Sequence, residues 1–265
     1  MLEKFDDSLS SLPLDTLKPY FCIDLDCTCL IGEQEVGRID LAKHILSDFI
    51  EVIGGFKRDI FKVALINPER LRRLLEKAET LAAGFIFLTK STWDEATIKQ
   101  GLISTLHLSP KASFMIQKAR FINIILIKQY FPEEIPTWQL FKTTKDLWLL
   151  QYLEVHIELS LHHFVVLDDD PTEVNALNKL KNVIAITATT HIGQALRPHA
   201  FYQLTIDALK HSVSSTKKYI FGNDTPLEKT SKADSSTLQG QSSFYVPCFP
   251  KKEESEIKIH PGFSP

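Results

Sequence analysis

Short apolar runs that end in polar residues alternate with longer segments of helical periodicity along this chain. The runs YFCI (20–23), FIFL (85–88) and FVVL (164–167) are rich in aromatic and β-branched side chains, and each is followed directly by aspartate or threonine. A further run, NVIAIT (182–187), ends in threonine. Runs of this length and composition are typical of buried strands, so each of them predicts a strand.

Helical periodicity fills most of the chain between these runs. The segment NPERLRRLLEKAETLAAG (67–84) has Pro68 in its first turn, an apolar stripe from Leu71 to Leu81, and Gly84 at its end. Further helices are predicted over 93–106, 143–158, 172–181 and about 191–211. The segment FINIILIKQYF (121–131) fits either a strand or a buried helix.

The alternation of strands and helices predicts an α/β fold with a Rossmann-like parallel sheet and flanking helices, which we assign to a core over 1–211. Within that core, Leu41, Ile45, Phe49 and Val52 have helical spacing. We therefore expect the segment 31–66 to form a small helical cap or flap. Residues 212–265 are rich in Ser, Thr, Lys, Glu and Gly, and this composition predicts a disordered tail or linker.

Composition and charge narrow the class of protein. The 265 residues are 44% hydrophobic and 24% charged, which is typical of globular domains, and the net charge of −3 gives no reason to expect a nucleic acid partner. The longest apolar runs are too short to span a bilayer, and the acidic N-terminus lacks the pattern of a secretory signal. These features favour a soluble, cytoplasmic protein.

Three of the four cysteines, Cys22, Cys27 and Cys29, lie close together in the sequence, and Cys248 is far away. A zinc site needs about four ligands, usually as two pairs, and the second pair is missing. We therefore expect the three clustered thiols to fill space in a strand and a tight loop rather than to bind metal.

Polar side chains that follow three of the predicted strands form a candidate site. Asp24 and Asp26 follow the first strand, Thr89 follows the second, and Asp168 and Asp169 follow the third. In an open parallel sheet the ligand site lies at the carboxyl ends of the strands, so these side chains should meet in space. Because a buried carboxylate is costly unless it is paired, bound to metal or used, a repeated strand-plus-acid pattern indicates chemistry.

The stretches FCIDLDCTCL, GFIFLTKS, TTKDL and FVVLDDDP, in this order, resemble the four motifs of haloacid dehalogenase-like phosphohydrolases. The style of the motifs is closest to that of the thinly capped C-terminal-domain-type protein phosphatases. Phospho-receiver domains use similar residues but place the acidic pair early in the chain, so their motif order does not match.

The resemblance implies a Mg²⁺-dependent mechanism through an aspartyl-phosphate. In that mechanism Asp24 is the nucleophile and Asp26 the general acid and base, while Thr89 and a lysine hold the phosphoryl group. Mg²⁺ would be held by Asp24, Asp26, Asp168 and Asp169, with Asp26 contributing its main-chain carbonyl.

Two assignments stay open at this point. The lysine is Lys145 or Lys142, and Lys145 fits the motif spacing better. The acidic pair of the last motif is Asp168 with Asp169, or, after a shift of one residue, Asp169 with Asp170.

A thin cap leaves a site open to bulky substrates, which in the resembled family are often phosphoproteins. The leading hypothesis is therefore a phosphoprotein phosphatase, and the first alternative is a phosphatase of nucleotides or sugar phosphates. A second alternative is a non-catalytic binding module, such as a secreted bacterial effector translocated into a host cell, whose C-terminal tail recruits a partner protein. The charged C-terminus KKEESEIKIHPGFSP would suit such a role.

Overall fold

A parallel sheet of five strands lies at the centre of the described structure, a computed structural model that describes residues 18–32, 45–188 and 198–220. All of these residues belong to one unit, Met1–Thr230. The strands in chain order are β1 Tyr20–Ile23, β2 Leu30–Gly32, β3 Leu46–Gly54, β4 Asp59–Ile66, β5 Gly84–Leu88, β6 Arg120–Ile122, β7 Phe164–Asp168 and β8 Val183–Thr187.

The central sheet has the strand order β6-β5-β1-β7-β8, and every neighbouring pair in it is parallel. If its members are numbered along the chain, this order is 3-2-1-4-5, the arrangement of doubly wound nucleotide-binding folds. The predicted α/β class with a Rossmann-like parallel sheet is therefore confirmed.

Helices cover both faces of this sheet. They are α1 Pro68–Leu81, α2 Glu95–Leu106, α3 Pro110–Lys118, α4 Ile124–Ile127, α5 Thr137–Leu140, α6 Lys145–Val155, α7 Pro171–Leu177 and α8 Pro198–Ile220. Because side chains alternate along a strand, Phe21 and Ile23 pack on the face that α1, α2, α3 and α8 cover. Cys22 lies on the opposite face with α4, α6 and α7.

A small antiparallel sheet with the order β2-β4-β3 follows β1 in the chain. The helical flap predicted over 31–66 is therefore wrong for residues 31–32, 46–54 and 59–66, which belong to β2, β3 and β4. The spacing of Ile45, Phe49 and Val52 suits a helix. The residues at positions 50, 52 and 54, however, would also share one face of a strand. Pairing with the β-branched residues of β4 favours the strand. Residues 33–44 lie outside the described ranges.

Other element boundaries also differ from the predictions. The ambiguous segment 121–131 contains both predicted forms, because β6 ends at Ile122 and α4 begins two residues later. The last helix continues to Ile220, so residues 212–220 are helical and not part of a disordered tail. The predicted tail beyond them and residues 189–197 lie outside the described ranges. Among the described helices, none is both long and apolar enough to cross a membrane.

Candidate active site

The carboxyl ends of β1, β5 and β7 lie side by side at one edge of the central sheet. Asp24 extends the β1–β7 pairing, because its backbone N–H donates to the carbonyl of Leu167 at 2.9 Å. Asp168 is the last residue of β7, and Thr89 directly follows β5. The order of strands reverses between β1 and β7, which is the position where open α/β sheets bind their ligands.

Three buried carboxylates and one buried lysine meet at this edge. Each of Asp24, Asp168 and Asp169 offers a carboxylate oxygen, and these oxygens lie within 4.8 Å of one another. The ammonium of Lys145 contacts Asp24 Oδ1 at 2.9 Å and Asp168 Oδ2 at 2.6 Å. The hydroxyl of Thr28 lies 3.4 Å from both Asp24 Oδ2 and Asp169 Oδ1, so it bridges the first and last motifs.

Burial and mutual repulsion change the acidity of these groups. Burial is the main cause that raises the pKa of Asp24, against the opposing effect of Lys145, and the other carboxylates raise it further. Burial likewise raises the pKa of Asp168 to about 6. Burial alone lowers the pKa of Lys145, but Asp168 and Asp24 outweigh it and leave that pKa well above its usual value. The lysine therefore stays charged within the cluster.

The donor set of the cluster fits a hard divalent cation. The carboxylates of Asp24, Asp168 and Asp169 supply the oxygen ligands that Mg²⁺ prefers, and they are close enough to one another to share one ion. When all are ionised, these carboxylates together with Lys145 carry two more negative than positive charges. A divalent cation would balance that excess.

Asp26 lies in a different setting from Asp24, although only one residue separates them. Its Oδ1 accepts a hydrogen bond from the indole Nε1–H of Trp93 at 2.8 Å, and its Oδ2 accepts one from the hydroxyl of Thr89 at 3.2 Å. Burial raises the pKa of Asp26 to about 6, although both hydrogen bonds and Lys145 oppose the rise. Neutral donors therefore hold Asp26, whereas charged groups surround Asp24.

The loop after β1 is a tight turn that fixes both aspartates. The backbone N–H groups of Cys29 and Leu30 both donate to the carbonyl of Leu25, and Cys27 has a left-handed backbone with φ of 56°. The thiol of Cys29 donates to the main-chain carbonyl of Asp24 at 2.9 Å. Cys27 and Cys29 are buried in this loop, so their small side chains fill it as the sequence predicted.

The two candidate lysines have different positions. Lys145 is the first residue of α6, and its side chain is buried within the carboxylate cluster. Lys142 is exposed, and its ammonium lies 4.8 Å from the ring centroid of Trp138. The structure therefore brings Lys145, and not Lys142, together with Asp24.

The three aspartates at the end of β7 also lie in different surroundings. Asp168 and Asp169 are buried in the cluster, whereas Asp170 is the N-cap of α7. Its side chain accepts a hydrogen bond from the backbone N–H of Thr172 at 2.7 Å. Helix capping therefore accounts for Asp170, and the geometry of the cluster includes Asp168 with Asp169.

A buried ion pair that the sequence analysis missed is hydrogen-bonded to the backbone of Lys145. Lys90 and Glu173 are almost fully buried, with Nζ and Oε1 2.5 Å apart. The other oxygen of Glu173 accepts the backbone N–H of Lys145 at 2.6 Å. Sequence reasoning also missed the roles of Trp93 and of Ser91, whose hydroxyl lies 3.0 Å from that of Thr89. The run of polar residues after FIFL (85–88) could have indicated Lys90 and Ser91.

Comparisons with known proteins give distant structural matches. No protein-family model and no curated protein sequence matches the chain. One similar structure is that of Fcp1, described as an essential RNA polymerase II CTD phosphatase, with 12% identity and a TM-score of 0.34 over 86% of this chain and 59% of that one. Another is a single-residue variant of the fission yeast RNA polymerase II CTD phosphatase Fcp1 bound to beryllium fluoride, with 12% identity and a TM-score of 0.35 over 82% and 56% of the two chains. This chain thus spans less than two thirds of the length of either structure.

Proposed function

We propose that this chain is a Mg²⁺-dependent phosphohydrolase that works through an aspartyl-phosphate. One observation carries the proposal: Asp24 and Asp26 follow the same strand, but Asp24 lies beside Lys145 and two further carboxylates, while Asp26 is held by neutral donors. Two carboxyl groups in contrasting surroundings suit a nucleophile and a proton donor.

In the first step, a carboxylate oxygen of Asp24 attacks the phosphorus atom of a phosphate monoester. An oxygen–phosphorus bond forms to Asp24, and the bond between phosphorus and the leaving oxygen breaks. Asp26 donates its proton to that leaving oxygen, so the alcohol or phenol departs as a neutral molecule. The hydrogen bonds from Thr89 and Trp93 fix the orientation of Asp26 during this transfer.

In the second step, water attacks the same phosphorus atom. Asp26, now ionised, accepts a proton from that water, and the bond between phosphorus and Asp24 breaks. Inorganic phosphate leaves, and both aspartates return to their starting protonation states. Lys145 supplies a fixed positive charge beside Asp24 through both steps, which favours the charge that builds up on the phosphoryl oxygens.

The residues that would hold Mg²⁺ are Asp24, Asp168 and Asp169, together with the main-chain carbonyl of Asp26. When bound, the ion would supply charge neutralisation for the carboxylates and for the phosphoryl oxygens. Thr89 is buried at the end of β5, where its hydroxyl can donate either to Asp26 or to a phosphoryl oxygen.

We further propose that the substrate is a phosphoprotein. The described part of the segment between β1 and α1 is the small sheet of β2, β3 and β4, which is too small to form a large α/β lid. Helices α2 and α3, which follow β5, pack on the central sheet as part of the core. An open site admits a phosphorylated side chain on a large partner more readily than a closed one does.

Hydrolysis of an aryl phosphate, measured with added Mg²⁺ and with a chelator, tests the reaction class. We expect turnover with Mg²⁺ and a loss on the order of 10²-fold or more after chelation, because the carboxylates then repel the incoming phosphate. Addition of Mg²⁺ after chelation should restore the rate. A folded protein without Mg²⁺-dependent turnover would instead support a binding module.

A comparison of kcat/KM between substrates, made on the same preparation, tests the substrate class. Phosphopeptides carrying phosphoserine or phosphotyrosine should be hydrolysed with a higher kcat/KM than a nucleoside monophosphate or a sugar phosphate. The opposite order would assign the protein to the small-molecule phosphatases and would leave the aspartyl-phosphate mechanism intact.

The acidic run after β7 allows a matched pair of substitutions. Asp169→Asn should lower kcat/KM by roughly 10²-fold, because it removes a carboxylate that would hold Mg²⁺. Asp170→Asn should leave turnover unchanged, since asparagine is as good an N-cap as aspartate. The reverse result, with the loss in Asp170→Asn, would show that the ligand pair is shifted by one residue.

A further inference from the structure

Both oxygens of the Asp26 carboxylate are held by donors from the segment that follows β5. Trp93 Nε1 lies 2.8 Å from Oδ1, and Thr89 Oγ1 lies 3.2 Å from Oδ2. The side chain of Trp93 is almost fully buried, with 5% of its surface exposed. A buried indole N–H is a donor only, and here it is directed at one particular oxygen of Asp26.

The small antiparallel sheet holds this indole in place. Phe61 of β4 packs edge-to-face against Trp93 with ring centroids 5.3 Å apart. Gly54, at the end of β3, approaches the indole so closely that an added Cβ would lie 2.5 Å from its Cε3 atom. A residue with any side chain at position 54 would therefore have to displace the indole.

Hydrogen bonds from the main chain of the same sheet connect it to the segment around Trp93. The carbonyl of Ile53 accepts the backbone N–H of Asp94 at 2.8 Å, and the N–H of Gly55 donates to the hydroxyl of Thr92 at 2.8 Å. The end of β3 and its turn are thus bonded to the residues on both sides of Trp93. The indole is fixed by its neighbours and not only by its own bond to Asp26.

From this geometry we infer that Trp93 is a positioning residue for Asp26 and that the β3–β4 hairpin holds it in that role. The inference rests on the proposed function, in which Asp26 gives a proton to the leaving oxygen. Because the indole N–H can only donate, Oδ1 acts as an acceptor, and the transferred proton is carried by Oδ2, whose remaining lone pair accepts the hydrogen bond from Thr89. Trp93 therefore selects which oxygen of Asp26 faces the leaving group.

The dependence of rate on leaving group separates this role from a merely structural one. An alkyl phosphate such as phosphoserine needs a proton on its leaving oxygen, whereas an aryl phosphate with a strongly acidic phenol does not. Trp93→Phe removes the N–H donor and keeps an aromatic ring, although a smaller one, for packing. A positioned proton donor contributes about 10²–10⁴-fold, so Trp93→Phe should lose on the order of 10-fold more kcat on the alkyl than on the aryl substrate. KM should change little for either.

Two glycine substitutions in the same small sheet test the part played by the hairpin. Gly54→Ala pushes a Cβ into the indole and should give the same selective loss on the alkyl phosphate. Gly32→Ala, in β2, is the matched control, because an added Cβ there meets no described atom within 4 Å. Gly32→Ala should leave the ratio of the two rates unchanged. Circular dichroism and the melting temperature establish that each variant is folded.

Asp26→Asn separates failure of this inference from failure of the proposed function. If Asp26→Asn loses rate selectively on the alkyl phosphate while Trp93→Phe loses rate equally on both substrates, the positioning role is wrong and the mechanism stands. If Asp26→Asn shows no selectivity, the proposed role of Asp26 is wrong.

An NMR measurement that does not depend on turnover completes the test. The chain has three tryptophans, so the indole N–H resonance of Trp93 can be assigned by its loss in Trp93→Phe. That resonance should shift in Asp26→Ala and in Gly54→Ala but not in Gly32→Ala. A wild type without turnover that shows these shifts would overturn the proposed function and retain the contact. An unchanged resonance in Asp26→Ala would overturn the positioning role.

Discussion

Replacing Asp24 with asparagine should abolish hydrolysis of phosphate monoesters, with a loss of about 10⁴-fold in kcat or more. The amide has the shape of the carboxylate but is not a nucleophile, so the bond between the side chain and phosphorus cannot form. Steady-state turnover of an aryl phosphate at saturating Mg²⁺ measures the loss. Asp207→Asn, on the surface of α8, is the matched control and should retain the wild-type rate.

Asp24→Asn should also stabilise the folded protein in the presence of a chelator. Burial raises the pKa of Asp24 in the folded state, and the neighbouring carboxylates add to this rise. A carboxyl group whose pKa is raised on folding destabilises the folded state once it is ionised, that is, at a pH above its unfolded value. A neutral amide removes this cost, so the melting temperature of Asp24→Asn at neutral pH should lie above that of the wild type.

These two outcomes together distinguish an active-site carboxylate from a structural one. A lower melting temperature would show that Asp24 serves mainly to pair with Lys145, whose ammonium lies 2.9 Å away. Retained turnover in a folded Asp24→Asn would show that another group attacks the substrate. Loss of turnover with increased stability is the result expected of a group that is kept for chemistry.

The sequence was sufficient to predict which strand-end side chains meet in space. Asp24, Thr89 and Asp168 are far apart in the chain, but each follows an apolar run, and parallel strands bring their carboxyl ends to one edge. The prediction needed only the order of the runs and the rule for parallel sheets. It did not need the packing of any individual side chain.

The small antiparallel sheet could not be predicted in the same way. Residues 45–53 carry apolar side chains whose spacing suits both a helix and a strand, and the choice depends on a partner outside the segment. That partner is β4, which pairs with β3 from Ile66 down to Asp59. Because strand pairing is a non-local contact, a local pattern does not contain it.

The buried charges of Lys90 and Glu173 were missed for a different reason. Lys90 and Glu173 are of residue types that are almost always exposed, so a sequence-based expectation places them on the surface. Only the three-dimensional structure shows that their side chains are 7% and 4% exposed and directly paired. Trp93 was not linked to Asp26 because an isolated tryptophan is usually part of a core.

The buried pair of Lys90 and Glu173 leads to the largest stability effect we expect. Glu173→Gln should lower the free energy of unfolding by about 3–5 kcal/mol, because it removes the carboxylate that pairs with the buried ammonium of Lys90. Denaturant unfolding, followed by circular dichroism, measures the change. Glu69→Gln is the matched control: Glu69 pairs with Arg72 and Arg73 on the exposed face of α1, so its loss should have little measurable effect.

A double-mutant cycle shows whether the cost arises from the pair or from its surroundings. Lys90→Met alone should also destabilise the protein, whereas Lys90→Met combined with Glu173→Gln should recover most of the lost stability, since no buried charge then remains unpaired. The glutamine can still accept the backbone N–H of Lys145, as Glu173 does at 2.6 Å, so the start of α6 should keep its position. If the two single costs simply add in the double variant, the ion pair contributes no coupling. Lys90 and Glu173 would then stabilise the protein through their separate contacts.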